Sequence, residues 1–301
     1  RKAKQSDYST AYKNVIEEVA YTWFNRLIAI RFMEVNDYLP TRIRVLSSES
    51  NGKAEPDLVT HALEANLDYS AYEKDRIIQM KNENKLDELF RMLFIKQCNA
   101  LHRNLPNLFE NSNDYTELLL NVSFTDQDGV VNRLIHNISE NDFDISKEGQ
   151  VEIIGWLYQF YNNEPKSRVD EYVKKGVKVD KDDIPAKTQL FTPDWIVRYL
   201  VENSLGRLWI ESNADIELQE KWTYFLEEAN QEKQTHDLLK LQSEKYRIIR
   251  PEEIKLIDPA MGSGHILVYA FDVFMQIYTK KGYSQRDAAS AILRNNIFGI
   301  D

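Results

Sequence analysis

The run Leu256-Ile-Asp258-Pro259-Ala260-Met261-Gly262-Ser263-Gly264-His265 constrains this chain more than any other stretch. Apolar residues lead into an acid, two glycines follow, and apolar positions then recur at helical spacing (Ile266, Leu267, Ala270, Phe271, Phe274, Ile277, Tyr278). The pattern predicts strand, glycine turn and helix, the geometry in which a nucleotide-like ligand rests against bare backbone. Glycine serves there because, without a Cβ, it takes positive φ and admits close contact. The turn lacks the Gly-Lys-Ser/Thr ending of a P-loop and is not G-x-G-x-x-G, so it offers no phosphate cradle. An acid at the strand end suits a ligand carrying an amine or a positive charge.

A second acid follows at a comparable place. A turn at Lys281 to Ser284 leads into a short helix with a Ser284/Asp287 N-cap pair. Asn296 to Asp301 then predicts a second buried strand ending in a carboxylate. In nucleotide-binding α/β folds such an acid accepts the ribose hydroxyls. The separation exceeds the usual ~20 residues because an extra helix intervenes. The plainer alternative is that Asp258 and Asp301 only cap turns.

Upstream the periodicity is helical. Apolar side chains at 12, 15, 16, 19, 23, 27 and 30 give one apolar face, ended by Asn36 and Pro40, and further helices are expected over 84–103 and 150–162. Residues 1–165 therefore predict a helical domain, 166–187 a polar, proline-broken connecting segment with one short helix, and 188–301 a second domain. The lysines of the connecting segment and Arg168 are its best candidates for a phosphate contact, against the plainer expectation of a solvated linker. Thr192-Pro193 is a good helix start, with Thr as N-cap and Pro at the first helical position. The free amides of a helix start suit a carboxylate. Trp195 is expected in the core. Residues 215–247 predict a pair of charged helices.

Asp258-Pro-Ala-Met-Gly-Ser-Gly-His265 resembles motif I of the S-adenosylmethionine-dependent adenine-N6 DNA methyltransferases. Thr188 to Val201 resembles their motif X, and Asn296 to Asp301 the start of motif II. Tyr21 to Glu34 and Glu152 to Tyr161 are similar to the N-terminal region of the methyltransferases of bacterial BREX phage-defence systems. The resemblance implies a mainly α N-terminal domain followed by the start of an α/β Rossmann-like S-adenosylmethionine-dependent methyltransferase domain. It implies that Asp258 holds the methionine amine, that Pro259, Ala260, Met261, Gly262, Ser263 and Gly264 line the cofactor, and that Asp301 binds the ribose. Phe191, Thr192 and Pro193 would sit near the methionyl carboxylate.

The family's Asn/Asp-Pro-Pro-Tyr/Phe motif, which holds and stacks a flipped adenine, occurs nowhere among the 301 residues. A fragment with part of a cofactor site and no catalytic residues is expected, its sequence beginning without Met and ending where motif II begins. The formal net charge of -10 fits poorly with phosphate binding. Double-stranded DNA is therefore expected to be contacted mainly by regions beyond Asp301, with other proteins of the BREX systems as candidate partners.

Cys98, the single cysteine, reads as a packed thiol and fits a reducing cytoplasm. No membrane segment or signal peptide is visible. The five histidines lack metal-ligand spacing, and no nucleophilic set occurs. Pro56-Asp57 with Glu83-Asn84-Lys85 formally matches a nuclease P-D…E-x-K pattern, but that chemistry needs acids on adjacent strands. The alternatives are the methyltransferase half of a fused restriction-modification enzyme, or an N-terminal module that docks DNA or partner proteins.

Overall fold

The computed structural model describes residues 8–50, 52–106, 108–109, 115–147, 152–179, 181–188, 191–243 and 249–300. They form two compact units, Arg1–Ile154 and Gly155–Asp301. The described residues are mostly helical and contain one two-stranded sheet. Among them no helix is long and apolar enough to cross a membrane.

The first unit is built on α1 (Tyr8–Val35), α2 (Asp57–Thr60), α3 (Ala71–Asn82) and α4 (Leu86–Leu101), followed by the short α5 (Tyr115–Leu118), α6 (Val130–His136) and α7 (Glu140–Phe143). The apolar face of α1 is buried only from Val19 onward, while Tyr12 and Ile16 are exposed. Helix α4 buries Leu89, Phe90, Leu93, Phe94, Cys98 and Leu101, a stripe at three- and four-residue spacing. Burial pushes the Cys98 thiol up to about 12, which keeps it protonated and inert. Helix α1 ends where Asn36 turns back: its amide donates to the carbonyls of Phe32 and Phe143. Beside that end Glu34 accepts from the amides of Val45 and Leu46, from Ser47 and from buried Arg31, so its charge is fully satisfied.

Helix α3 lies outside the stretches predicted from apolar spacing, although Ser70 and Glu73 form a capping box at its start. Lys96, and then the Ser70 backbone amide, hold Glu73 down at about 2. A depressed carboxylate stabilises the fold above its ordinary value of 4.5, and that stability is lost as pH falls through about 2. Denaturant titrations of the chain and of its Glu73→Gln variant between pH 6 and pH 2 should therefore converge as acid is added. A gap independent of pH would refute this role for Glu73.

The second unit holds most of α8 (Glu152–Tyr161), then α9 (Asn163–Lys174), α10 (Ile184–Thr188) and α11 (Asp194–Val201). A π-turn over Glu202–Gly206 carries α11 into α12 (Arg207–Asn213), and α13 (Ile216–Gln219) and α14 (Lys233–Ser243) follow. Strand β1 (Leu256–Asp258), α15 (His265–Lys280), α16 (Gln285–Asn295) and β2 (Ile297–Gly299) complete it. The core gathers Val201, Leu205, Trp209, Leu218 and Trp222 against Ala270, Val273, Phe274, Ile277 and Tyr278 of α15 and Ala288 and Ile292 of α16.

Several expectations need amendment. The connecting segment carries two helices, α9 and α10. Its cations are partly spent, Arg168 on Asp183, Lys187 on Asp170 and Lys175 on Glu171. Among its described residues the charged insertion holds two helices, the single-turn α13 and the longer α14. Trp195 is 55% exposed rather than core, because α11 buries Val197 and Val201 and turns Trp195 outward.

Strands β1 and β2 pair in parallel, with Leu256 opposite Ile297, Ile257 opposite Phe298 and Asp258 opposite Gly299. The strand pair is not buried as expected: Ile257, Phe298 and Ile300 are 57%, 41% and 60% exposed. These residues share one face by the period of two, and helices α15 and α16 pack on the other. Among the described residues no layer covers the outer face.

Candidate functional site

The candidate site lies at the carboxyl end of β1. Asp258 is 7% exposed. Its Oδ1 accepts from the Ala260 amide at 3.1 Å. Its Oδ2 is buried and finds no hydrogen-bond partner among the described residues. A buried carboxylate oxygen without a donor is costly, and such an atom in a native fold calls for an explanation.

The turn that follows is held from below. The Met261 amide donates to the Ile300 carbonyl at 3.0 Å, Ile300 donates to the Asp258 carbonyl at 2.9 Å, and Gly264 donates to Met261 at 2.8 Å. Gly262 and Gly264 adopt φ of 52° and 80°, the left-handed region where a side chain is strained. The outer surface of the turn is open: Pro259, Ala260, Gly262 and Ser263 are exposed, while Met261 and Gly264 are half-buried. Strand β2 presses closely beneath, since a Cβ on Gly299 would stand 2.3 Å from the Met261 sulfur.

The second predicted segment meets this turn. The Thr192 carbonyl accepts from His265 Nδ1 at 3.0 Å, and the Phe191 ring stacks on the His265 imidazole at 4.7 Å and 9°. The fold thus brings Phe191 and Thr192, both half-buried, to the first residue of α15, across a sequence gap of 73 residues. Pro193 is exposed and stands as the N-cap of α11, one position later than the expected arrangement, with no side-chain cap from Thr192. Asp194, in the first turn of α11, is bound by Arg198 at 2.7 Å. That pairing offsets a negative charge which would otherwise oppose an anion there. Asp301 lies outside the described residues.

Behind the turn sits a polar pair that sequence inspection did not single out. Glu202, 1% exposed in the π-turn, accepts from the Tyr269 hydroxyl at 2.7 Å and from the Tyr224 amide at 2.6 Å. Burial, then the Glu202 carboxylate, push the Tyr269 phenol above its usual range, so it stays a donor. The four-residue step from His265 to Tyr269 was the available signal, since both then face α11.

A concavity of about 620 Å³ is lined by Arg207, Glu211, Leu226, His236 and neighbours, and by no residue of 191–193 or 258–264. The nuclease pattern does not form on strands: Asp57 opens α2 and accepts from Ser48 and the Glu49 amide, and Glu83 ends α3 paired with Lys85. Among the described residues no three metal-ligating side chains cluster.

The candidate site is thus a parallel strand pair with an acid and a glycine turn at its carboxyl end. The chain is homologous to one region of the adenine-specific methyltransferases. It is 49% identical over 316 aligned positions to the adenine-specific methyltransferase PglX of Lacticaseibacillus casei strain Zhang, an alignment covering 99% of this chain and 25% of that protein. It is 44% identical over 293 positions to the adenine-specific methyltransferase BrxX of Escherichia coli O9:H4 strain HS, covering 96% of this chain and 23% of that protein. A putative type II restriction enzyme and methyltransferase of Methanocaldococcus jannaschii is 25% identical over 315 positions, with 95% and 23% covered. The chain thus spans about a quarter of the length of the curated relatives it matches. No protein-family model matches it.

Proposed function

We propose that this chain forms part of the S-adenosylmethionine site of a DNA adenine-N6 methyltransferase that acts in bacterial phage defence. The observation that carries the proposal is Asp258 Oδ2, a buried acceptor without a donor at the end of β1, directly under a glycine turn. An ammonium group is the donor such an oxygen fits best, since a charge-assisted hydrogen bond is about twice as strong as a neutral one. On this assignment Asp258 holds the methionine amine and Oδ1 keeps the turn closed through Ala260.

The open backbone from Pro259 to Gly264 lines the ligand, with no Cβ at Gly262 and Gly264. Phe191, Thr192 and Pro193 sit beside the methionyl carboxylate, and Asp301 takes the ribose. When bound, S-adenosylmethionine supplies a methyl group on a sulfonium, already a good leaving group. The protein's part is therefore to bind and orient, and these residues need move no proton. The parallel β1–β2 pair with its helical crossover would be the first unit of a Rossmann-like sheet. The chain has no Asn/Asp-Pro-Pro-Tyr/Phe motif and is assigned no catalytic residue. Duplex DNA would be the whole protein's substrate.

The direct test is calorimetry of this chain with S-adenosylmethionine, using ATP as the control. Saturable heat with the first and none with the second is expected, because the turn has no phosphate cradle. In parallel, the whole protein should transfer a labelled methyl to adenine N6 in duplex DNA. Absence of both signals overturns the assignment. The relationship to a putative restriction enzyme and methyltransferase raises a second possibility, cleavage of DNA by the whole protein. Asp57 opens α2 and Glu83 caps the end of α3, rather than both lying on adjacent strands, which argues against those residues as its nuclease.

A further inference from the structure

We infer that His265 is a positioning residue, a latch that fastens residues 191–193 to the glycine turn and so sets the methionine end of the proposed site. The fastening stands on contacts in the fold, while its consequence for the cofactor rests on the function proposed above.

His265 is 8% exposed and grips two consecutive residues by two different forces. Its Nδ1 lies 3.0 Å from the Thr192 carbonyl, and a carbonyl only accepts, so Nδ1 carries the proton there. Its ring stacks on Phe191 at 4.7 Å and 9°. Phe191 is fixed from the far side as well. Trp156 meets it edge-on at 6.1 Å, and a Cβ on Gly155 would stand 2.1 Å from its Cε2. Gly155 is therefore the residue that leaves room for the ring.

One helical turn further along α15, Tyr269 bonds Glu202 while the Arg198 guanidinium lies over its ring at 5.0 Å. The first two turns of α15 thus hold the 191–202 segment at both ends. With its backbone pinned at Thr192, the turn before α11 is fastened to His265, the residue that follows Gly264, rather than free to drift. A small displacement of a ligand-holding group is enough to weaken binding.

The test uses the whole chain and separates a latch from a space-filling side chain. His265→Asn keeps a donor at the position of Nδ1, and His265→Phe keeps only the stacking. His265→Ala keeps neither. Gly155→Ala pushes Phe191 off an intact histidine. Amide hydrogen exchange reads the fastening, and S-adenosylmethionine calorimetry reads its consequence.

In His265→Ala the amides of Ile196 and Val197, both bonded to the Pro193 carbonyl, should exchange about ten-fold faster, the scale of one lost hydrogen bond, while those of Val273 to Tyr278 stay protected. The Kd should rise about ten-fold in parallel. His265→Asn should recover most of both, His265→Phe little of either, and Gly155→Ala should loosen the same amides. Unchanged exchange in both His265→Ala and Gly155→Ala, or full recovery by His265→Phe, overturns the latch. Faster exchange with an unchanged Kd overturns its positioning role. If the parent chain binds no cofactor, the proposed function fails while the exchange arm still decides the latch.

Discussion

Asp258→Ala should raise the Kd for S-adenosylmethionine at least about 100-fold, roughly 2.7 kcal/mol, and leave the unliganded chain as stable as before or more so. The two halves of this result have one cause. Asp258 Oδ2 is buried and, among the described residues, unpartnered, and such a group costs the fold about 1–3 kcal/mol. Removing it relieves that cost. Against this stands the loss of the Oδ1 bond to the Ala260 amide, worth about 1 kcal/mol. Binding loses a charged partner for an ammonium, whereas folding loses a burden, so affinity and stability part company as they do at sites kept for function. Asp258→Asn refines the test: it retains an acceptor for Ala260 but removes the charge. Calorimetry and urea denaturation on the three chains decide. A Kd within three-fold of the parent, or a stability loss typical of a core truncation, would remove Asp258 from the cofactor site.

The largest loss of stability should come from Asn296, which is fully buried between α16 and β2. Its amide donates to the carbonyls of Pro251 and Ile254, both at 2.7 Å, and its Oδ1 accepts from the Tyr278 hydroxyl at 2.9 Å. Asn296→Ala would strip the buried Ile254 carbonyl and the Tyr278 hydroxyl of their partner and leave the Pro251 carbonyl only the Ile254 amide at 3.3 Å. Each orphaned group costs about 1–3 kcal/mol, so a total near 3–5 kcal/mol is expected after partial relaxation. The Leu256 amide donates to the Asn296 carbonyl at 2.7 Å, so the same residue starts the strand pair. Urea denaturation should show a lower midpoint, and the near-ultraviolet signal of Tyr278 should change. A loss below 1 kcal/mol would mean that water replaces all three bonds.

The sequence was most informative where backbone chemistry is local. The Asp258 to Gly264 turn, the Ser284 cap of α16 and the apolar stripe of α4 each follow from residue types at fixed spacing, and the fold contains all three. Less of the surroundings was legible, because it depends on what lies opposite. Trp195 is aromatic at helical spacing yet exposed, since α11 turns a different stripe inward. Ile257, Phe298 and Ile300 match a buried strand by composition alone, but burial requires a second layer. The capping box at Ser70 is a local signal for α3, but no strong apolar period follows it to mark the helix. The Glu202–Tyr269 pair depends on a π-turn, whose extra residue per turn shifts the register in a way no period of 3.6 predicts.

The topology of β1 and β2 also has a consequence in time. The two strands are parallel, and all of α15 and α16 lies between them. Isolated helices form within about a microsecond, but parallel pairing across such a span must first close the intervening loop. Asp258 reaches its place only when Ile300 has arrived to hold the turn from below. A chain emerging during synthesis therefore carries a complete α15 before the turn after β1 is held in place.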